Sequence, residues 1–221
     1  MTAGADTPDR RGRTGLDRTG LDLSGNPRVR VREVKLLSSH WYVERATTFD
    51  YRHADGTWHT EERETHDRGN GATLLLYDTE RETVLLTRQF RFPVYVNGHP
   101  DGMLIETPAG LLDADDEHPE HAVRREVVEE TGHTVGDVEH VFDVYMSPGS
   151  VTERISFYAA AYTPATRTHE GGGLDEEGED IEILELPFRR ALEMIRTGEI
   201  ADAKTIMLLQ WAALDGPFAA R

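Results

Sequence analysis

The sequence predicts an α+β fold: a mixed sheet flanked by helices and preceded by a small antiparallel sheet. Three observations lead there. Residues 28–68 alternate apolar and polar side chains on either side of an Asp55-Gly56 turn, which is hairpin patterning. Two continuous apolar runs, Ala72–Tyr77 and Val84–Phe90, suit strands covered on both faces. A helix framed by Pro119 and Gly132, and a helical pair from Pro187 to Leu214, supply the covering layers.

Length and charge narrow the function. A chain of 221 residues suits one domain with an appendage. A net charge of −17 lacks the basic footprint that nucleic-acid binding needs, so no nucleic-acid partner is expected. With no cysteine there is no disulfide framework or thiol chemistry. No apolar run approaches the ~18 residues of a membrane span, and the N-terminus has no apolar leader core. The expectation is a soluble, cytoplasmic protein with no membrane partner.

Residues 1–27 are rich in Gly, Thr, Asp and Arg and repeat RTGLD at 13–22. They carry too little apolar surface to offset ordering, so a disordered tail is expected, or else a docking segment. Residues 28–68 form the antiparallel sheet, through Val29–Arg32, Trp41–Val43, Thr47–Tyr51 and the return Trp58–Thr65. A sheet so thin must pack on the main domain or on a second subunit. The main domain takes residues 69–221. Arg88 and Arg91 close its second strand, either as surface ion-pair partners or as bidentate phosphate ligands. Val138–Tyr145 and Ile155–Tyr162 read as further strands, and Glu153 between them is a solvated turn residue or a substrate contact. The Gly171–Gly173 triplet opens an acidic loop ahead of strand Ile181–Leu186. That loop is a mobile linker, or one that can bring Glu179 or Asp180 to a metal. In the last helical pair Phe188, Ala191, Leu192 and Ile195 make one apolar face, and Gly198 ends it. Asp202 caps residues 203–214, where Ile206, Leu209, Trp211 and Leu214 read as core. Lys204, polar among apolar neighbours, invites a ligand role.

The chemistry concentrates in Gly110–His133. Within it Glu126, Glu129 and Glu130 share an arc of roughly 100° on one helix, with Val123 and Val127 beside them. Like charges at i, i+4 repel, and no lysine at that spacing relieves them. A hard divalent cation such as Mg²⁺, which takes carboxylate and phosphate oxygens, is the natural partner. Pro119 and the acids Asp115, Asp116, Glu117 and Glu120 suit the positive helix end.

The same stretch resembles the Nudix box: Gly, five residues, Glu, seven residues, then Arg-Glu-apolar-x-Glu-Glu-x-Gly-apolar. Gly110, Glu117 and Arg125–Gly132 take these places, with six residues after Gly110 instead of five and His133 at the final apolar position. Beyond the box, Asp67–Thr73, Arg88–Arg91, Val96–Gly98, Pro108–Asp113, Tyr145–Gly149, Val151–Glu153, Gly171–Gly173 and Ala191–Ile200 are similar to the GDP-mannose hydrolase branch.

The resemblance implies a Nudix α/β/α sandwich that hydrolyses GDP-mannose to GMP and mannose 1-phosphate with Mg²⁺, or Mn²⁺ as a substitute. Carried over, the metal shell is the Ala109 carbonyl, Glu126, Glu130 and Glu179, with Glu177 and Glu182 as alternatives to Glu179 because the acidic loop is longer than usual. Substrate contacts fall on Trp41, Arg63 and Glu64, on Arg91, on Ala109, Gly110 and Leu111, and on Glu153, Asp180 and Lys204. Glu129 joins the catalytic carboxylates, Arg125 pairs with Glu117 or Glu129, and either Glu153 or Glu179 orients the attacking water. A homodimer with an exchanged N-terminal sheet is also implied. ADP-ribose pyrophosphatases share the chemistry, and a non-catalytic nucleotide-sugar sensor would share the fold. Selectivity among substrates rests on pocket hydrogen bonds.

Overall fold

A computed structural model describes residues 14–15, 23–113, 118–174 and 178–219. Two compact units share the chain: the first takes Met1–Asn70, Leu111–Asp115 and Tyr145–Ile155, the second Gly71–Gly110, Asp116–Val144 and Ser156–Arg221.

The first unit is a three-stranded antiparallel sheet of β1 (Val29–Ser39), β2 (Val43–Arg52) and β3 (Trp58–Asp67), in that order. Gly56, at φ +89°, makes the hairpin between β2 and β3 where a side chain would be strained. Register shifts between Val31 and Glu33 and between Leu36 and Ser38 bulge the edge strand. Val31, Val34, Leu36 and Leu37 on that strand remain exposed. The unit's interior holds a buried ion pair, with Arg45 Nη1 3.0 Å from Asp67 Oδ2. Most of stretch 1–27 lies outside the described residues. Thr14 and Gly15, however, donate backbone N–H groups to the Asp67 carboxylate at 3.2 and 2.7 Å. Burial would raise the Asp67 pKa, but these bonds and one from Gly69 hold it below the usual range.

The second unit is built on a mixed seven-stranded sheet. Its members are β4 (Gly71–Asp78), β5 (Thr83–Phe90), β6 (Met103–Glu106), β7 (Ala109–Leu111), β8 (Val138–Tyr145), β9 (Arg154–Ala161) and β10 (Glu182–Pro187). The order is β10-β5-β4-β9-β8, with β6 on β5 and β7 on β4. Consecutive residues Ala72–Leu76 are all buried, so both faces of β4 are covered, as its unbroken apolar run predicts. Helix α2 (Pro119–Thr131) packs on β4, while α3 (Phe188–Thr197) and α4 (Ala203–Leu214) pack on each other and on neighbouring strands. A short helix α1 (Phe92–Val96) follows β5. Neither α1 nor β6 and β7 was legible beforehand, because each is too short to show a period.

Two apolar faces are buried in part as expected. In α3 the buried residues are Phe188, Ala191 and Met194, with Leu192 and Ile195 only half-buried. In α4 they are Lys204, Thr205, Leu208, Leu209 and Ala212, whereas Leu214 is 74% exposed. Phe188, Ala191 and Leu209 are thus buried as expected, while Leu192, Ile195, Ile206 and Trp211 are half-buried. Among the described residues, no helix is long and apolar enough to cross a membrane.

Candidate active site

The site in the second unit starts from α2. Pro119 occupies its first turn, and His118 Nδ1 caps it by accepting the Glu120 N–H at 3.2 Å. Of the acids expected at this end, Asp115, Asp116 and Glu117 lie outside the described residues. Gly132 ends the helix in the left-handed region at φ +74°. Val123 and Val127 are fully buried against the sheet, each worth about 1.5–3 kcal/mol. Their burial fixes which way the carboxylates on the next arc point.

Glu130 is 1% exposed, and its Oε2 has no hydrogen-bond partner among the described residues. Burial, then the charges of Glu126 and Glu179, push its pKa well above the carboxylate range, with Arg91 opposing. Arg125 Nη1 donates to Glu126 Oε1 at 3.0 Å and lies 3.5 Å from Glu129 Oε2. The expected pairing with Glu129 is therefore present, and the alternative at Glu117 falls outside the described residues. Across from the helix, a Cβ at Gly110 would overlap the Glu126 carboxylate. The Gly110 backbone thus lies against this acid with no room for a side chain.

The glycine triplet is anchored rather than free at its base. Gly172 and Gly173 donate N–H groups to the carbonyls of Glu130 and Glu129 at 2.8 and 3.1 Å. Ile181 N–H then closes the loop on the Gly172 carbonyl at 3.1 Å. The α2 carbonyls that a helix end leaves without partners are thereby used to tie the acidic loop beside the carboxylates. Within that loop Glu179 Oε2 accepts the Leu174 N–H at 3.0 Å, while Asp180 is exposed. Held this way, Glu179 does not complete a cage: among the described residues no three Asp, Glu or His side chains close on one point. Of its two alternatives, Glu177 is outside the described residues. Glu182 begins β10 and bridges Arg88 at 3.1 Å, away from the loop.

The donor set nonetheless fits a hard cation. It comprises a buried carboxylate with an unpartnered oxygen, two further acids close enough to repel it, and a glycine backbone pressed on one of them. Arg88 resolves as a surface ion-pair partner of Glu182 and Asp101. Arg91 instead donates Nε to Glu106 Oε2 at 2.7 Å. Lys204 is buried, bonded to Glu106 Oε1 and 3.1 Å from Asp202 Oδ1. Glu106 carried no expectation; the one trace of it in the sequence is an acid closing the apolar run Met103–Ile105.

In the first unit, Arg63 and Glu64 on β3 line a groove of about 570 Å³ with Thr65, Tyr145, Pro148, Gly149, Ser150, Val151 and Thr152. His66 and Val151 form an isolated parallel bridge that fastens the Ser147–Thr152 turn to β3. Glu153 is buried in this unit with Arg68 Nε at 3.3 Å, so it is not the solvated turn residue that one reading allowed. Trp41 is 69% exposed.

A family model described as "GDP-mannose pyrophosphatase NudK N-terminal domain" matches residues 28–66, and one described as "NUDIX domain" matches residues 67–209. The chain is similar to the GDP-mannose pyrophosphatase of Pectobacterium atrosepticum, 52% identical over 191 residues, which are 86% of this chain and 97% of that protein. The Klebsiella pneumoniae protein of the same name is 51% identical over 188 residues, 85% and 93% of the two chains. The Salmonella typhimurium one is 52% identical over 177 residues, 80% and 91%.

Proposed function

The chain belongs to the Nudix hydrolase family, and from that premise we propose that it cleaves the pyrophosphate bond of GDP-mannose, releasing GMP and mannose 1-phosphate. The observation that carries a pyrophosphate-cleaving centre is Glu130, buried with an unpartnered oxygen among repelling acids. The substrate follows the printed names of relatives about half identical over most of both chains.

In this reading Glu126, Glu130, Glu179 and the Ala109 carbonyl hold Mg²⁺, or Mn²⁺ in its place. Such a cation, when bound, supplies charge neutralisation for the pyrophosphate and a more acidic water. The chain's own groups do the rest. Arg125 keeps Glu126 and Glu129 in fixed rotamers, as outer partners of ligating carboxylates do. Arg91 takes a phosphate oxygen, with the Gly110 and Leu111 backbone alongside and Asp180 and Lys204 completing the contacts. Water attacks phosphorus, the bridging P–O bond breaks, and the water's proton passes to a carboxylate oxygen of Glu153 or Glu179. Trp41 offers a flat face to guanine, with Arg63 and Glu64 beside the groove.

The exposed apolar side chains of β1 support a homodimer in which that sheet covers a second copy. A cysteine-free, acidic chain is compatible with a cytoplasmic setting. The test is turnover of GDP-mannose, GDP-glucose and ADP-ribose side by side, in Mg²⁺ and in EDTA. GDP-mannose should be cleaved fastest, only with metal, and to the two products named. Much faster cleavage of ADP-ribose would overturn the substrate, and no cleavage of any would leave the sensor reading.

A further inference from the structure

We propose that Glu106 is a positioning residue: it locks the Arg91 guanidinium by its Nε edge and so aims the two terminal amino groups at a substrate phosphate. The inference rests on the reading of Arg91 as a phosphate contact. Its geometry is independent of that reading.

Glu106 ends β6 and is 4% exposed, yet both its oxygens are used by cations. Oε2 accepts Arg91 Nε at 2.7 Å and Oε1 accepts Lys204 Nζ. Lys204 is held in turn by Asp202, whose other oxygen caps α4 by accepting the Thr205 N–H at 2.9 Å. Next door, the Thr107 N–H donates to Thr205 Oγ1 at 2.7 Å. The end of β6 and the first turn of α4 are therefore joined at two successive residues. Two carboxylates balance two cations, and the carboxylate in the middle is the one that cannot move.

Arg91 is the member of this chain that reaches outward, with a side chain 39% exposed. Its Nη1 and Nη2 make no hydrogen bond among the described residues, whereas Nε is committed to Glu106. A guanidinium is a rigid planar fork, so fixing one edge fixes the direction of the other donors. Arg91 also lies close enough to Glu130 for their charges to interact. The guanidinium thus lies in the neighbourhood of the carboxylate centre, with its two amino groups making no hydrogen bond among the described residues. A donor oriented before substrate arrives avoids the loss that a misplacement of ~1 Å brings, on the order of 100-fold. Lys204, by contrast, gives two of its three donors to Glu106 and Asp202 and so helps to hold the carboxylate between the cations.

A double-mutant cycle in the full-length enzyme tests this, using whichever of the three nucleotide sugars is turned over best. Glutamine at 106 keeps the volume but has one acceptor for two cationic donors. Glu106→Gln should lower kcat/KM by ~10- to 100-fold when Arg91 is present, and by less than ~2-fold in an Arg91→Ala background. Equal losses in both backgrounds would mean Glu106 serves the fold alone and would overturn the inference. An Arg91→Ala variant with unchanged kcat/KM would sink the phosphate reading of Arg91 instead. A second readout needs no turnover: the Arg91 Nε–H resonance, identified by its loss in Arg91→Ala, should be sharp and slow to exchange in wild type and lost in Glu106→Gln. Fast exchange in the wild-type protein would also overturn the inference. If Glu106→Gln does not fold, Glu106→Asp takes its place, since it keeps the charge but is one methylene too short to span both cations.

Discussion

At Glu130 a single carboxylate carries opposing demands of stability and function. Its folded-state pKa is raised, so between the ordinary carboxylate value and that raised value the folded chain binds the extra proton. Its contribution to stability therefore falls as pH rises through this window, by about 1.4 kcal/mol for each unit. Glu130→Gln is permanently neutral and escapes the loss. In EDTA the variant's Tm should exceed that of wild type by an amount that grows as pH rises above the ordinary carboxylate value, read by thermal melts at each pH. The same variant should lose turnover by orders of magnitude in saturating Mg²⁺, and retained turnover would remove Glu130 from the metal shell. Gly110 makes the complementary point. An added methyl would meet the flexible end of Glu126 rather than backbone, so the acid can swing aside. Gly110→Ala should leave Tm within a few degrees while cutting kcat/KM ~10-fold or more, because the displaced group is a proposed ligand.

Among the elements, the start of α4 shows how a cap can serve a site. Asp202 accepts the Thr205 N–H at one oxygen and approaches Lys204 with the other. Asp202→Ala should cost about 1 kcal/mol through the cap and more through the stranded Lys204, measured as a shift in denaturation midpoint. Asp202→Asn keeps the cap and isolates the second effect. The glycine triplet shows the same economy: Gly171 sits at φ +71°, where a Cβ would strike the Thr131 backbone. Gly171→Ala should detach the acidic loop from the end of α2, seen as faster amide exchange at Gly172 and Gly173.

For the whole molecule, the proposed metal binds only the folded state and so should stabilise it by mass action. Raising Mg²⁺ from zero to millimolar should raise the Tm of the wild-type protein and leave that of Glu130→Gln nearly unchanged. An equal rise in both would point to diffuse screening of the net charge of −17. The exposed β1 face bears on assembly. Leu36→Glu, at a residue 60% exposed, should dissociate the proposed homodimer as followed by light scattering, while a monomeric wild type would end that proposal.

The sequence by itself determined what local chemistry determines. Pro119, Gly132, Gly198 and Asp202 mark helix ends through φ preferences and side-chain caps that act over a few residues. The unbroken apolar run of β4 and the spacing of Glu126, Glu129 and Glu130 are equally local, and the acidic face of α2 was legible for that reason. Tertiary structure alone decided the rest. Arg88 and Arg91 are alike in sequence, but one meets Glu182 at the surface and the other meets a buried Glu106. The glycine loop, which in sequence could be a mobile linker or a carrier of Glu179 and Asp180, is tied by hydrogen bonds to carbonyls some 40 residues earlier in the chain, at Glu129 and Glu130. Lys204 reads as an isolated polar residue because its partner Glu106 lies 98 residues away. A buried charge depends on which opposite charge the fold brings to it, and no local pattern encodes that distance.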